Sequence, residues 1–447
     1  MFEPLYSADE MRAAEAGHDV DVLMQRAGRA VAEAAMRQFP DARRIELHAG
    51  KGANGGDGRI AAEILRGEGR ELVASGGELV IDALLGTGLR GAPRDETAGV
   101  IERITASGAP VLAVDIPSGV NASTGEVAGA AVAADMTVTM HGWKVGLAVA
   151  PGRFRTGEIV VADIGLDHRS TEHRAVADEI LRLVPRKRSQ DNKYSAGAVL
   201  VVGGARGMTG AATLAARAAF RADAGYVAIA APAESLGVLE TLVVEAVKRP
   251  LDDVFDAATR AKALAVGPGL GRDRRELVRR LLAETDLPAV VDADALFELE
   301  PFERDAPTVL TPHSGELARL LGEESAWVDA HRLEALRQAV ERYRCVVLLK
   351  GAGTLVGAPG EGPLVVSTEA PALATAGTGD VLTGVVAAFL AKGMDARLAA
   401  AAAAVAQGVA AHRAAKSAGL VAGDVVDALP AALQEPPRKS NRKDPLR

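Results

Sequence analysis

Short apolar runs ending in polar, glycine-rich turns recur along the chain, and longer helix-like segments fill the stretches between them. In the first half the runs fall at 44–49, 79–84, 111–115, 136–140 and 159–163; in the second they fall at 199–202, 227–231, 263–266, 289–292, 308–310 and 346–349. This alternation predicts two parallel sheets with helical crossovers, an α/β class. A helix is predicted over 7–38, opened by a capping box between Ser7 and Glu10. The alanine run 399–404 predicts a packed helix, since alanine is the best helix former. Between the halves, 185–193 (PRKRSQDNK) reads as a linker or exposed entry loop. The tail 435–447, with three prolines and five Lys or Arg, reads as disordered.

Composition narrows the class. Of 447 residues, 48% are hydrophobic but only 3% aromatic, so the cores must rest on Val, Leu, Ile and Ala. A net charge of −8 argues against a nucleic-acid partner held by bulk electrostatics. The single Cys345 excludes an internal disulfide and a cysteine metal cluster; it lies in an apolar run and reads as a buried strand thiol. No apolar run reaches membrane-spanning length and the N-terminus has no signal-peptide core, so a cytoplasmic protein is expected.

The stretch TAGTGDVLTG, from Thr375 to Gly384, carries the most chemistry. Gly377 and Gly379 let the backbone bend and approach a ligand, and the following helix start offers unpaired N–H groups to an anion such as a phosphoryl group. Asp380 stands there as a carboxylate able to take a proton from a substrate hydroxyl. An ordinary helix start with an Asp cap is the alternative. In the first half, Gly50, Gly52 and Gly55 match a dinucleotide fingerprint, but no acidic residue ends a second strand at the required distance; Glu71 precedes its candidate strand. Asp82 and Asp115 begin two further polar turns at strand ends, where open α/β sheets bind ligands.

Three motifs in order, NGGDG (from Asn54), DALLGTGLRG (from Asp82) and VDIPSGV (from Val114), resemble the NAD(P)H-hydrate epimerase domain over residues 5–165. The resemblance implies a Rossmann-like three-layer sandwich that interconverts the epimers of hydrated NADH or NADPH. It implies that Asn54, Asp82 and Ser118 hold a potassium ion, an ion suited to oxygen ligands. Substrate would meet Ala53, Asn54, Gly55, Gly56 and Asp57, the loop Gly86, Thr87, Gly88, Leu89, Arg90, Gly91 and Ala92, and Asp115, which would be catalytic. Lys144 would either orient substrate or serve the structure. Two departures stand out: Ala53 replaces a usual Asn, and the stretch from Asp57 to Asp82 is short, as though a strand–helix unit were trimmed.

In the second half VVGGARGMTGAA (from Val201), GPGLG (from Gly267), DADAL (from Asp292), TPHSGE (from Thr311) and KGAGT (from Lys350), with the GTGD segment, resemble the NAD(P)H-hydrate dehydratase domain, a ribokinase-like fold, over 188–434. The resemblance implies that Ala212, Gly269, His313 and Asp380 contact hydrated NAD(P)H, with Asp380 catalytic. Lys350, Gly351, Ala352, Gly353, Thr354 and Gly379 would hold the nucleotide, with magnesium on its phosphates. His313 alone also reads as a structural histidine. Together the halves resemble bifunctional NAD(P)H-hydrate repair enzymes: an epimerase at 1–184, a dehydratase at 185–434 that consumes ADP and gives AMP and phosphate, and a tail at 435–447. The expected partners are small-molecule substrates, and a homo-oligomer is expected. The rival readings are a ribokinase-like small-molecule kinase with a regulatory first half and a nucleotide-sensing protein without turnover.

Overall fold

The computed structural model describes residues 1–167, 169–368, 370–414 and 418–434; the tail at 435–447 lies outside them. The chain forms two compact units, one of Pro4–Ala175 with Asp329–Arg332, the other of Met1–Glu3, Val176–Val328 and Leu333 onward.

In the first unit six parallel strands, β1 (Arg44–Ala49), β2 (Glu71–Val73), β3 (Leu79–Ala83), β4 (Val111–Val114), β5 (Met136–Met140) and β6 (Glu158–Ala162), lie in the order β2-β1-β3-β4-β5-β6. Side chains alternate across a strand. Leu79 and Ile81 enter a core shared with helices α1 (Ala8–Glu15), α2 (Val20–Gln38) and α3 (Ala53–Gly67), while Val80 joins Ile101 and Ile104 of α4 (Asp95–Ala106) in a second core. The sheet is therefore the middle of three layers. The helix expected over 7–38 is two helices. The Ser7–Glu10 capping box opens the first; Gly17, at φ +87°, ends its path, and Asp19 caps the second through Asp21 N and Val22 N. The region that looked trimmed holds the three-residue edge strand β2. Glu71 opens that strand rather than ending it, so the acidic group of a dinucleotide fingerprint is missing.

In the second unit β7 (Ala198–Val202), β8 (Tyr226–Ala231), β9 (Val247–Pro250), β10 (Ala263–Val266), β11 (Ala289–Val291), β12 (Thr308–Leu310) and β13 (Val346–Leu349) are parallel, and the hairpin β14 (Thr354–Ala358) and β15 (Glu361–Val366) adds antiparallel strands. From the hairpin the order runs β15-β14-β13-β12-β11-β10-β7-β8-β9. Helices α5 (Thr209–Arg221), α6 (Ser314–Leu321), α7 (Thr378–Ala391), α8 (Ala396–Arg413) and α9 (Ala422–Gln434) complete the parts that matter below. The alanine run lies in α8, with Ala399 to Ala403 fully buried, because their small side chains let neighbours approach on every side. Val176, Ile180, Leu181 and Val184 pack into this core, so the division falls ahead of the expected 184/185 boundary. Among the described residues no helix is long and apolar enough to cross a membrane.

Each sheet has one point where successive connections leave in opposite directions. In the first it lies between β1 and β3, in the second between β7 and β10. A crevice opens at the carboxyl ends of the strands at such a point, and ligands bind there.

Candidate active sites

In the first unit the switch point is tightly knit. Gly50 N donates to Ala83 O at 2.9 Å. A β-carbon on Gly55 would stand 2.0 Å from the Gly50 carbonyl oxygen, and one on Gly58 would stand 2.5 Å from the Ala83 side chain. The glycines of NGGDG thus bring the start of α3 against the strand ends. Asn54 is drawn into the interior, where its Nδ2 donates to Leu85 O at 3.0 Å and its Oδ1 is buried without a partner. Beside it Asp82 is fully buried. Its carboxylate accepts from Ser118 N (2.8 Å), Ser118 Oγ (2.6 Å) and Leu84 N (3.3 Å), all neutral donors. Burial pushes its pKa up. Ser118 Oγ in turn accepts from Leu85 N at 2.9 Å. Asn54, Asp82 and Ser118 therefore converge around Leu85. Ala53 and the loop residues Gly88, Arg90, Gly91 and Ala92 are exposed, with Gly86, Thr87 and Leu89 half-buried.

Asp115 follows β4 with φ +65°, a left-handed conformation uncommon outside glycine. Its Oδ1 accepts from Met140 N (3.1 Å), Thr139 Oγ1 (3.3 Å) and the Lys144 ammonium. Lys144 is fully buried, and its ammonium also donates to Thr139 Oγ1 (2.9 Å) and Met140 O (2.7 Å). With those donors engaged, Lys144 holds Asp115 in place. Two more carboxyls share this field. Burial, then the charges of Asp115 and Glu15, push Asp57 up to about 8, against the opposing effect of Lys144. Burial and Asp115 raise Glu15.

In the second unit α7 begins at Gly377, φ +88°, which caps it with no side-chain hydrogen bond. Asp380 lies inside the first turn and does not cap; Thr378 N donates to Thr375 O at 3.4 Å, which leaves the Gly379 and Asp380 N–H groups for a ligand. Burial, then the charge of Asp292, push Asp380 up to about 7, while Lys350 pulls the other way. Lys350 Nζ donates to Asp292 Oδ1 at 2.8 Å and lies 3.6 Å from Glu316 Oε2. Thr383 Oγ1 donates to Asp292 Oδ2 at 2.6 Å. A β-carbon on Gly379 would lie 3.5 Å from Lys350 Nζ and 3.8 Å from Asp292 Oδ2. The structure thus brings Lys350, Gly379 and Asp380 together. Gly351 (φ +132°) and Gly353 (φ +63°) turn the loop Lys350, Gly351, Ala352, Gly353, Thr354 into the hairpin.

His313 caps α6: its Nδ1 accepts from Gly315 N (3.0 Å) and Glu316 N (3.3 Å), which places the ring proton on Nε2. The side chain stays half exposed, and its Nε2 lies 3.5 Å from Glu316 Oε1, so the structural reading of His313 as a cap is met. At the switch point Gly204 N donates to Pro268 O (3.0 Å) and Ala205 N to Gly269 O (2.7 Å). Ala212 is fully buried near Gly204 and offers a ligand no side-chain surface. Cys345 is a buried thiol pushed up to about 12, as a strand thiol should be. Among the groups without an expected role are Asp292, Thr383 and Glu316. The signal for Asp292 was present: it is the first residue past β11, where ligand-binding turns begin.

Against known proteins, a sequence model described as NAD(P)H-hydrate dehydratase matches residues 199–432, and the YjeF-related protein N-terminus matches 20–77 and 70–146. The bifunctional NAD(P)H-hydrate repair enzyme Nnr of Moorella thermoacetica is 36% identical, covering 92% of each chain. Its counterpart in Escherichia coli is 33% identical, covering 86% of this chain and 85% of that one. Among solved structures, the ADP/ATP-dependent NAD(P)H-hydrate dehydratase of Bacillus subtilis, co-crystallised with ATP and Mg2+, has a TM-score of 0.52 at 28% identity, covering 57% of this chain and 94% of that one. A ribokinase-like superfamily protein of Enterococcus faecalis V583, 22% identical with a TM-score of 0.53, covers 60% and 97% and shares the fold. Two strand-end sites on one chain, both halves matched, and relatives aligned over nearly full length lead to one statement: the chain belongs to the family of bifunctional NAD(P)H-hydrate repair enzymes, with an epimerase half and a dehydratase half.

Proposed function

We propose that the dehydratase half phosphorylates the misplaced ring hydroxyl of hydrated NADH or NADPH at Asp380 and then releases phosphate. The observation that carries this is Asp380 in the uncapped first turn of α7, beside the Lys350–Asp292 pair. Asp380 takes the hydroxyl proton as the oxygen attacks the terminal phosphoryl group. The N–H groups at the start of α7, with Gly379 leaving room, stabilise charge on the moving group. Lys350, with the loop from Gly351 to Thr354, holds the nucleotide phosphates, and the Nε2 proton of His313 points to the hydrated ring. Phosphate departs, and loss of a ring proton restores the dihydronicotinamide. The nucleotide is ADP, yielding AMP and phosphate; the Bacillus subtilis relative is named for both ADP and ATP. Among the described residues no three His, Cys, Asp or Glu side chains converge to cage a metal. Magnesium would therefore be held mainly by the nucleotide phosphates, near Asp380, and would offset their charge when bound.

In the epimerase half Asp115 works at the carbon that bears both hydroxyl and ring nitrogen, and the loop from Gly86 to Ala92 borders the substrate. A potassium ion fits Asn54, Asp82 and Ser118: the unpartnered Oδ1 of Asn54 and a buried carboxylate with only neutral donors make an oxygen-rich, anionic seat. Bound there, it would neutralise Asp82. The substrates are soluble cofactors, which supports a cytoplasmic setting. A homo-oligomer is supported by Val238, Leu242, Val244 and Val247, which are exposed on and before the edge strand β9; light scattering tests it.

The deciding assay incubates the protein with hydrated NADH and ADP. Return of dihydronicotinamide absorbance with release of free phosphate is expected. A stable phosphoester would indicate a kinase instead, and no recovery with ADP or ATP would sink the repair reading.

A further inference from the structure

From Val381 to Ala391 every residue of α7 is buried, and Thr383 is the one polar side chain among them. A buried hydroxyl is costly unless it is bonded. Two acceptors lie within reach of Thr383 Oγ1: the Gly379 carbonyl one turn back, at 3.1 Å, and Asp292 Oδ2, at 2.6 Å. Threonines inside helices commonly bond the carbonyl one turn back. Here the hydroxyl has one proton to give, and the shorter contact, across to another element, takes it.

Asp292 is fixed from three sides. Its N–H donates to Val266 O at 3.0 Å, which sets its backbone at the end of β11. Its Oδ1 accepts from Lys350 Nζ at 2.8 Å, and its Oδ2 accepts from Thr383. Lys350 has a second carboxylate nearby: Glu316 Oε2 lies 3.6 Å from Nζ and also accepts from His313 N at 2.9 Å. The ammonium thus stands between two acceptors, nearer Asp292. Gly379 is one turn before Thr383 on the same face of α7. A β-carbon there would lie 3.5 Å from Lys350 Nζ and 3.8 Å from Asp292 Oδ2, so the pair borders the turn that receives the phosphoryl group.

We propose that Thr383 is a positioning residue of the dehydratase, which acts through Asp292 to hold the Lys350 ammonium where it meets the nucleotide phosphates. This rests on the reading of Lys350 as a phosphate-binding group. The hydroxyl occupies Oδ2 from the α7 side, and that sets the plane of the carboxylate and turns Oδ1 to Lys350. Without it, Oδ2 is a buried acceptor that has lost its donor on α7. The carboxylate then turns, and Lys350 follows it or shifts to Glu316. Either way the ammonium leaves its place beside Gly379.

Thr383→Val removes the hydroxyl and keeps the shape. It should weaken the binding of ADP with Mg2+ on the order of 10-fold in isothermal titration, and lower dehydratase kcat/KM at least as far. Thr383→Ser should restore both to within a few-fold. Lys350→Met should weaken ADP further than Thr383→Val does. The double variant should then match Lys350→Met to within about two-fold, because Thr383 has no ammonium left to place. A role in packing alone would add its full cost in the double variant. Calorimetric melting checks that each variant is folded, and Thr383→Ala takes the place of Thr383→Val in the same cycle if the valine is not tolerated. A folded Thr383→Val with wild-type ADP affinity overturns the proposal, as does a double variant in which the two losses multiply. If the two sites couple but wild type returns no dihydronicotinamide from hydrated NADH, the positioning role stands and the repair reading fails. Wild type that binds no ADP would overturn both.

Discussion

A carboxyl at a strand end does chemistry only if something fixes its charge state, and the two sites do this differently. Asp115 is held by a lysine with no exposure to solvent. Removing one partner of a buried pair leaves the other uncompensated, at a cost of about 3–5 kcal/mol. Lys144→Met should therefore destabilise the first unit by about 3 kcal/mol in urea unfolding and abolish epimerisation; a folded, active Lys144→Met would show that Asp115 needs no counter-charge. Asp380 stands near Lys350, but that ammonium is bonded to Asp292 instead. Burial and the charge of Asp292 keep it protonated up to about 7. A general base must be ionised, so dehydratase kcat/KM should rise as pH climbs through about 7 and level off above it. Asp380→Asn should cost roughly 10²-fold or more and remove that rise, while epimerase activity is unchanged.

At the scale of elements, the helix that carries Asp380 is placed by contact too close for a side chain. A β-carbon on Gly384 of α7 would lie 2.1 Å from the Ala215 carbonyl oxygen of α5, a backbone atom that cannot step aside. Gly56 of α3 would meet only the end of the Met24 side chain, which can move. Gly384→Ala should therefore cut dehydratase turnover sharply by shifting α7, whereas Gly56→Ala should leave epimerase turnover within a few-fold. Steady-state assays of both activities on each variant check the contrast. The apolar runs made most strands legible, because central parallel strands are covered on both faces. Among the missed strands are β2 and β9, edge strands that are short or carry Lys248, Arg249 and Pro250, which edges tolerate and centres do not, and the hairpin, whose apolar pattern is interrupted by Gly357 and Pro363. The reactive residues were legible as polar turns at strand ends. Their supports were not, because they come from far along the chain. Lys144 lies 29 residues from Asp115, Lys350 lies 58 from Asp292, and Thr383 lies 91 from Asp292.

Across the whole molecule, both units bury a carboxyl at the switch point and hold its pKa far above the usual carboxylate range. That arrangement has a thermodynamic consequence that no loss-of-function assay would reveal. In the unfolded chain Asp57 and Asp380 release their protons near pH 4, while in the folded chain they keep them to about 8 and about 7. The folded state therefore binds more protons across this window. Its extra stability is complete below about 4 and is lost as pH rises through the folded values. Asparagine has the size of a protonated aspartic acid and no proton to lose. The double variant Asp57→Asn, Asp380→Asn should then match wild type at pH 4.5 and exceed it at pH 8.5. Both carboxyls keep some contact with solvent, which screens the effect to about 1 kcal/mol in each unit, or roughly 2–4 °C of melting temperature. The single variants should divide the gain, Asp57→Asn raising the transition reported by Trp143 and Asp380→Asn the other. Calorimetry at the two pH values, with Trp143 emission followed in parallel, checks this. Equal melting of wild type and double variant at pH 8.5 would mean that the carboxyls titrate normally, and the expected rise of dehydratase kcat/KM through about 7 would fall with it.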